Sequence, residues 1–367
     1  LKPNILFLLH IPPPVHGSSV VGQYIKQSSL INKSFEARYI NLMASKEVSS
    51  SGKVNLRKIG GFVKIWFKLL GELRKKKPDL CYLALTTTGA AFYRDIFVVG
   101  LLKLFRIKRV YHLHNKGVKR WSTFLINRYF YRFVFQNADV IILSKYLYPD
   151  IQAFVPENKI HICPNGISNK IEEDKPAESN NSKEVSKILF LSNLIESKGV
   201  YVLLEACSLL KEKKIPFQCD FVGGEGDITA SQFYERAQKL GLNNSVNYLG
   251  KKFGTEKEEI FSKANVFAFP TFYPNECLPL VLLEAMQNKL PVISTFEGGI
   301  PDVVDDTETG FLVPQKDPRL MAEKLEILIS DSNLCKKMGE AGRKKFEEEF
   351  TLIQFENRMS NILGKII

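Results

Sequence analysis

The chain opens a strand-length apolar run with Ile5-Leu6-Phe7-Leu8 and, past its midpoint, opens a second with Ile188-Leu189-Phe190-Leu191. Each opening starts the same alternation. In the first half, short apolar runs at Ile5–Leu9, Leu80–Leu85, Arg109–Leu113 and Val140–Leu143 are separated by longer amphipathic stretches. The second half repeats this at Ile188–Leu191, Phe217–Val222, Val246–Leu249, Val266–Phe269 and Pro291–Ser294. Uninterrupted short apolar runs suit strands buried on both faces, and the stretches between them suit covering helices. The pattern therefore predicts an α/β chain of two doubly wound, Rossmann-like domains, and 367 residues are more than one compact domain needs. Residues 1–165 are read as one domain and 166–350 as the other. Ile171–Lys187, polar and poor in apolar residues, reads as a surface linker. Apolar positions from Leu352 to Leu363 predict a helix within 351–367, packed on one domain or bridging back to the first.

Parallel sheets of this kind bind ligands at the carboxyl ends of their strands, so the site is expected in a cleft between the halves. Six Cys with no C-x-x-C pair argue against a disulfide scaffold or a zinc module and for a reducing, cytoplasmic setting. The most apolar stretch, Ile96–Phe105, is broken by Lys103 and is much shorter than the roughly 18 residues a spanning helix needs. No secretory signal is read at the N-terminus. Charge divides the halves: the formal net +12 is made of +19 over residues 1–170 and −7 over the rest. A basic half attracts polyanions, whether nucleic acid, an anionic membrane surface or a phosphorylated substrate.

Several strand ends carry chemistry. Ile11-Pro12-Pro13-Pro14-Val15-His16-Gly17 leads from the first strand into a helix start, where free N–H groups at Gly17 can meet a phosphate. Ser192-Asn193-Leu194-Ile195-Glu196-Ser197-Lys198-Gly199 puts a cation at the end of the second half's first strand, where it can neutralise a pyrophosphate. Gly223-Gly224-Glu225-Gly226 is a third such end, open to a base or a phosphate. The fullest stretch is Asn275-Glu276-Cys277-Leu278-Pro279-Leu280-Val281-Leu282-Leu283-Glu284. Pro279 suits the first turn of a helix running to about Asn288, which leaves the amides of Leu280 and Val281 free for an anion. Glu276 and Glu284 beside that nest can accept hydrogen bonds from sugar hydroxyls.

These residues resemble the retaining glycosyltransferases of family 4, whose fold is GT-B and whose E-x7-E motif is similar to Glu276 through Glu284. Phe269-Pro270, Pro291-Val292-Ile293, Glu297-Gly298-Gly299-Ile300-Pro301, Pro164-Asn165-Gly166 and Thr309-Gly310-Phe311-Leu312-Val313 follow the family pattern. The resemblance implies an N-terminal acceptor-binding domain and a C-terminal domain that binds a nucleotide-diphosphate sugar. It implies that Glu284 holds the donor ribose, Glu276 the transferred sugar and Lys198 the diphosphate, with Gly17 and the amides near Leu278, Leu280 and Val281 around them. Gly224 falls near the base, and His114 matches a strand-end histidine beside the sugar; His112 lies deeper in the same strand. Where the family usually has Arg, five residues before the lysine, this chain has Asn193, which removes one positive charge. Pro279 stands where Gly is frequent and deletes an amide donor.

No D-x-D sequence occurs, so neither metal nor other cofactor is expected. The acceptor is expected to be a glycan or a polyprenyl-diphosphate-linked glycan of bacterial surface polysaccharide synthesis (capsule, O-antigen or exopolysaccharide). The enzyme would then sit on the inner face of the plasma membrane. Leu56–Lys77 supports that placement: Ile59, Phe62, Val63, Trp66, Phe67, Leu70 and Leu73 form a stripe amid Arg57, Lys58, Lys64, Lys68 and Arg74–Lys77. Such a helix lies on a membrane or faces a core with a solvated rim. Arg128–Phe135, with aromatics among cations, fits either role. Two other readings compete. A nucleic-acid-binding protein would explain the basic half but carries no reading module, and a GT-B epimerase or phosphorylase would explain the carboxylates less fully.

Overall fold

The computed structural model describes residues 2–43, 56–169 and 185–367. It divides into one unit of Leu1–Gly166 with Leu352–Ile367 and a second of Ile167–Thr351. The first unit is built on a six-stranded sheet of β1 (Asn4–Leu9), β2 (Glu36–Asn41), β3 (Leu80–Leu85), β4 (Arg109–Leu113), β5 (Asp139–Ile142) and β6 (Ile160–Ile162), in the spatial order β2-β1-β3-β4-β5-β6. Every neighbouring pair is parallel. Inner strands β1, β3 and β4 bury every residue, which is why they read as unbroken apolar runs.

Two strands had no such run. Edge strand β2 buries only Ile40 completely, and β6 is three residues long with no buried position. An edge strand covers less of the core and can be polar, so its sequence lacks the signal that marks the centre.

The helix Leu352–Ile366 joins the first unit. Phe355, Met359, Leu363 and Ile366 lie on one helical face and enter the cluster formed by Ile5, Phe7, Val21, Ile25, Ile31 and Tyr82. Each such burial contributes about 1.5–3 kcal/mol, enough together to hold the chain's last segment. Within the chain's order this places the end beside the beginning.

The second unit carries β7 (Ser186–Leu191), β8 (Phe217–Val222), β9 (Val246–Tyr248), β10 (Val266–Phe269), β11 (Val292–Thr295) and β12 (Gly310–Val313), in the order β12-β11-β10-β7-β8-β9. All pairs are again parallel. Phe190 packs against Phe221 and Phe269, with ring centroids 5.2 and 6.0 Å apart, tying three adjacent strands together. Because the strands are parallel, the segments after β7, β8, β9 and β10 all leave from one edge of the sheet. Of the expected linker Ile171–Lys187, residues 171–184 lie outside the described set, and Ser186 and Lys187 already belong to β7.

Candidate active site

Lys198 is held by its backbone before its side chain acts. Glu196–Lys198 form a single 3-10 turn that ends at Gly199, whose φ is +91°. A Cβ at Gly199 would stand 2.2 Å from the carbonyl oxygen of Pro270, so only glycine lets the β7 and β10 segments come this close. The amide of Phe272 donates to the Ser197 carbonyl at 2.7 Å and locks the turn from the other side. From here the Lys198 ammonium reaches the Glu276 carboxylate and lies 4.5 Å from the Tyr273 ring centre. Both side chains are largely withdrawn from water, at 16% and 10% exposure, so each charge depends on the other.

Glu284 is occupied in the same way. Both of its oxygens accept from Lys257 Nζ at 2.7 Å. Lys257 lies on the helix Gly254–Lys263 and was not singled out in the sequence, where it is one lysine in a run of mixed charge. The helix bearing Glu284 spans Leu280–Gln287, so Pro279 is its N-cap and not its first residue, and Asn288 is its C-cap. Pro279 is extended, at ψ 123°, and offers no side-chain hydrogen bond to the cap, while its carbonyl accepts from Leu282 at 3.2 Å. Leu280 and Val281, at the open first turn, are half-buried, and Leu278 before them is buried.

Asn193 and Gly224 also meet. Asn193 Oδ1 accepts from the Gly224 amide at 3.0 Å, and the Leu194 amide donates to the Gly224 carbonyl at 2.7 Å. Gly223, with φ +151°, passes so near Ser192 that a Cβ would sit 1.9 Å from its carbonyl oxygen. Within the second unit, then, Lys198 meets Glu276 and Asn193 meets Gly224, while Leu278, Leu280, Val281 and Glu284 follow Glu276 on the same loop and helix.

Gly17 and His114 belong to the first unit. Gly17 begins the helix Gly17–Gln27, and the cap is His16: its ring accepts from the Ser19 amide while Ser19 Oγ accepts from the His16 amide. A Cβ on Gly17 would meet nothing within 4 Å, so this helix start stands open. His114 follows β4. Its ring lies 4.1 Å from that of His112, whose Nδ1 pairs with the Tyr82 hydroxyl at 2.5 Å. His10, after β1, pairs with Ser18 at 3.0 Å and lies 6.1 Å from the His16 ring.

Burial, and next the neighbouring charges of Arg94, His16 and His114, hold His10 well below the usual histidine pKa. His112 is lowered by burial and then by His114. His114 keeps partial exposure, yet burial and then His16 push it down to about 3. At neutral pH these three rings carry no charge, and they offer hydrogen-bonding nitrogens without repelling a cation. Among the described residues, no group of three or more His, Cys, Asp or Glu is placed to hold a metal ion.

Two surfaces of the first unit combine apolar and basic side chains. In the helix Leu56–Lys75, Leu69 and Leu73 are buried, whereas Val63 and Phe67 are 44% and 61% exposed beside Lys64 and Lys68. The expected stripe is therefore divided between core and solvent; Arg57, Lys58 and Ile59 lie outside the described side chains. Phe124, Leu125, Ile126 and Tyr129 are 60–82% exposed, flanked by Arg120, Arg128 and Arg132. Tyr131, Val134 and Phe135 of the same helix, Leu125–Phe135, face the core. No helix among the described residues is long and apolar enough to cross a membrane.

Residues 171–345 match the family described as glycosyl transferases group 1. Over 306 residues the chain is 27% identical to the capsular polysaccharide biosynthesis glycosyltransferase CapM of Staphylococcus aureus, covering 79% of this chain and 77% of that one. Sucrose-phosphate synthase from Thermosynechococcus elongatus has the same fold, with a TM-score of 0.78 at 18% identity over 100% of this chain and 99% of the other. HepE of Anabaena, solved in complex with UDP, follows at TM-score 0.76 and 18% identity, over 99% and 100%.

Proposed function

We propose, for a chain that is a family-4-like glycosyltransferase of the GT-B fold, that it adds a sugar from a nucleotide-diphosphate donor to a growing bacterial surface polysaccharide, with retention of anomeric configuration. The observation that carries the donor assignment is the pairing of Lys198 with Glu276 and of Lys257 with Glu284 around an open helix start. A buried carboxylate, a half-buried one and two lysines form a set whose partners can be exchanged. An arriving diphosphate takes Lys198 and the first-turn amides of Leu280 and Val281, and sugar hydroxyls then donate to the released Glu276. Ribose hydroxyls donate to Glu284. The UDP bound by HepE supports a nucleoside diphosphate as the handle.

In the transfer itself the bond from the anomeric carbon to the β-phosphate oxygen breaks, and the acceptor oxygen forms its bond on the same face. The acceptor proton passes to the departing phosphate oxygen. Negative charge grows on the leaving group, where Lys198 and oriented amides stabilise it in a water-poor site. His114, with a pKa near 3, is too weak a base to take that proton. Lys198 supplies positive charge at the leaving group, and the reaction we propose needs no metal.

The acceptor falls to the basic first unit. Exposed Phe124, Leu125, Ile126 and Phe67 amid lysines and arginines suit an anionic lipid surface on the inner face of the plasma membrane, with a polyprenyl-diphosphate-linked glycan as acceptor.

Thermal shift of the purified chain against UDP-, GDP- and ADP-sugars tests the donor reading, since ligand binding raises apparent stability by mass action. One nucleotide series should raise the melting temperature. Turnover of that donor should survive EDTA and give a product whose anomeric coupling matches the donor. No shift with any series, loss of turnover with EDTA, or inversion would each overturn the corresponding statement.

A further inference from the structure

The donor reading sets a single cation from the β7 segment, Lys198, against the diphosphate, and Asn193 at the same strand end is neutral. Asn193 cannot supply a second charge, and its Oδ1 is already engaged by the Gly224 amide. A third segment reaches the same point. After β9, the Leu249 amide donates to the Phe221 carbonyl and the Gly250 carbonyl accepts from the Gly223 amide, both at 2.9 Å. These bonds carry the chain past the end of β8 and place Lys251 over Gly224. An ideal Cβ at Gly224 would lie 2.3 Å from Lys251 Cε, 3.3 Å from Lys251 Nζ and 3.2 Å from Asn193 Oδ1. The ammonium and the Asn193 side chain thus share the space that glycine leaves empty.

Lys251 differs from its neighbours in having no anionic partner. Lys198 pairs with Glu276, Lys252 with Glu256 and Lys257 with Glu284, whereas Lys251 makes no ion pair among the described residues. It is exposed, so its charge is available to an incoming ligand. We infer that Lys251, lying over Gly224 beside Asn193, supplies to the nucleoside diphosphate the positive charge that Asn193 does not. The inference rests on the donor reading above and adds a residue from a different strand end. Gly224, which the resemblance places near the base, then also borders the diphosphate, with Lys251 above it. The neutral Asn193 is then what keeps two cations from crowding one point.

Calorimetric titration with UDP, GDP and ADP, and with the corresponding free nucleosides, tests this on the full chain. First the nucleotide that the wild type binds is identified. Lys251→Ala should then weaken the diphosphate about tenfold and leave the nucleoside unchanged, with a shallower dependence on salt. Adding Asn193→Arg to Lys251→Ala should restore most of the lost affinity. Circular dichroism and melting of each variant confirm that the fold is retained; Lys251→Met keeps the aliphatic stem if Lys251→Ala does not fold. Undiminished diphosphate binding, an equal loss for the nucleoside, or no rescue by Asn193→Arg would each overturn the role of Lys251. A wild type that binds none of the three nucleotides would instead overturn the donor reading itself.

Discussion

In the proposed site, Lys198 and Glu276 hold each other's charge before a substrate arrives. Removing one member of so enclosed a pair leaves the other without compensation, at about 3–5 kcal/mol. Lys198→Ala therefore has to be read beside its melting temperature. In a variant that still folds, loss of the leaving-group contact should lower kcat by about 100–1000-fold, an effect of roughly 3–4 kcal/mol. Glu284→Ala should act mainly on the donor KM, because the ribose hydroxyls are held equally before and during transfer. Initial rates with saturating acceptor separate the two, and equal, unchanged constants in both variants would contradict the assignment. Glu276, Glu284 and Lys198 stand out in the sequence at strand ends beside Pro279 and Gly199, but their roles rest on the resemblance to family 4. Lys251 and Lys257 do not stand out: a lysine in a polar stretch has no pattern, and only the fold brings it to a carboxylate or a glycine.

At the level of elements, the inner strands were legible because burial on both faces demands an unbroken apolar run. Edge strands β2 and β6 escaped notice because half-exposed backbone tolerates polar residues. The helix Leu352–Ile366 was readable as a helix, but its partner was not, since an apolar face does not specify which core it enters. Helix Leu125–Phe135 carries two messages in one sequence: Tyr131, Val134 and Phe135 complete the core, and Leu125, Ile126 and Tyr129 remain outside it. If those outer residues meet lipid, the chain should float with vesicles rich in phosphatidylglycerol at low salt. Replacing Phe124, Leu125 and Ile126 together by Ser should weaken that binding at least about tenfold, given ~0.8 kcal/mol per buried CH2. Binding that ignores both anionic lipid and this replacement would refute the lipid surface.

Over the whole molecule, charge and titration are unevenly shared. Residues 1–170 carry a net +19 and the remainder −7, and in the second part Lys198 and Lys257 are paired with carboxylates of the proposed site. The first unit also holds the histidines with lowered pKa. Neutral in the fold and protonated in the unfolded chain below pH 6.5, His10, His112 and His114 each take up a proton on unfolding. Their contribution is therefore complete above pH 6.5 and is lost as pH falls below it, for His114 down to about pH 3. Each such group costs about 1.4 kcal/mol per pH unit within its window. Urea midpoints should fall from pH 7 to pH 5, before most carboxylates titrate, and His112→Asn should flatten that slope. A midpoint independent of pH over this range would count against neutral, enclosed rings.

The claim on which the rest depends is that the second unit grips the donor by its diphosphate. A crystal structure with the nucleotide selected by thermal shift tests this most directly. The account predicts the diphosphate within hydrogen-bond reach of Lys198 and the amides of Leu280 and Val281, with Glu276 and Glu284 released from their lysines onto hydroxyls. A nucleotide bound away from the start of the helix Leu280–Gln287, with both ion pairs intact, would contradict it.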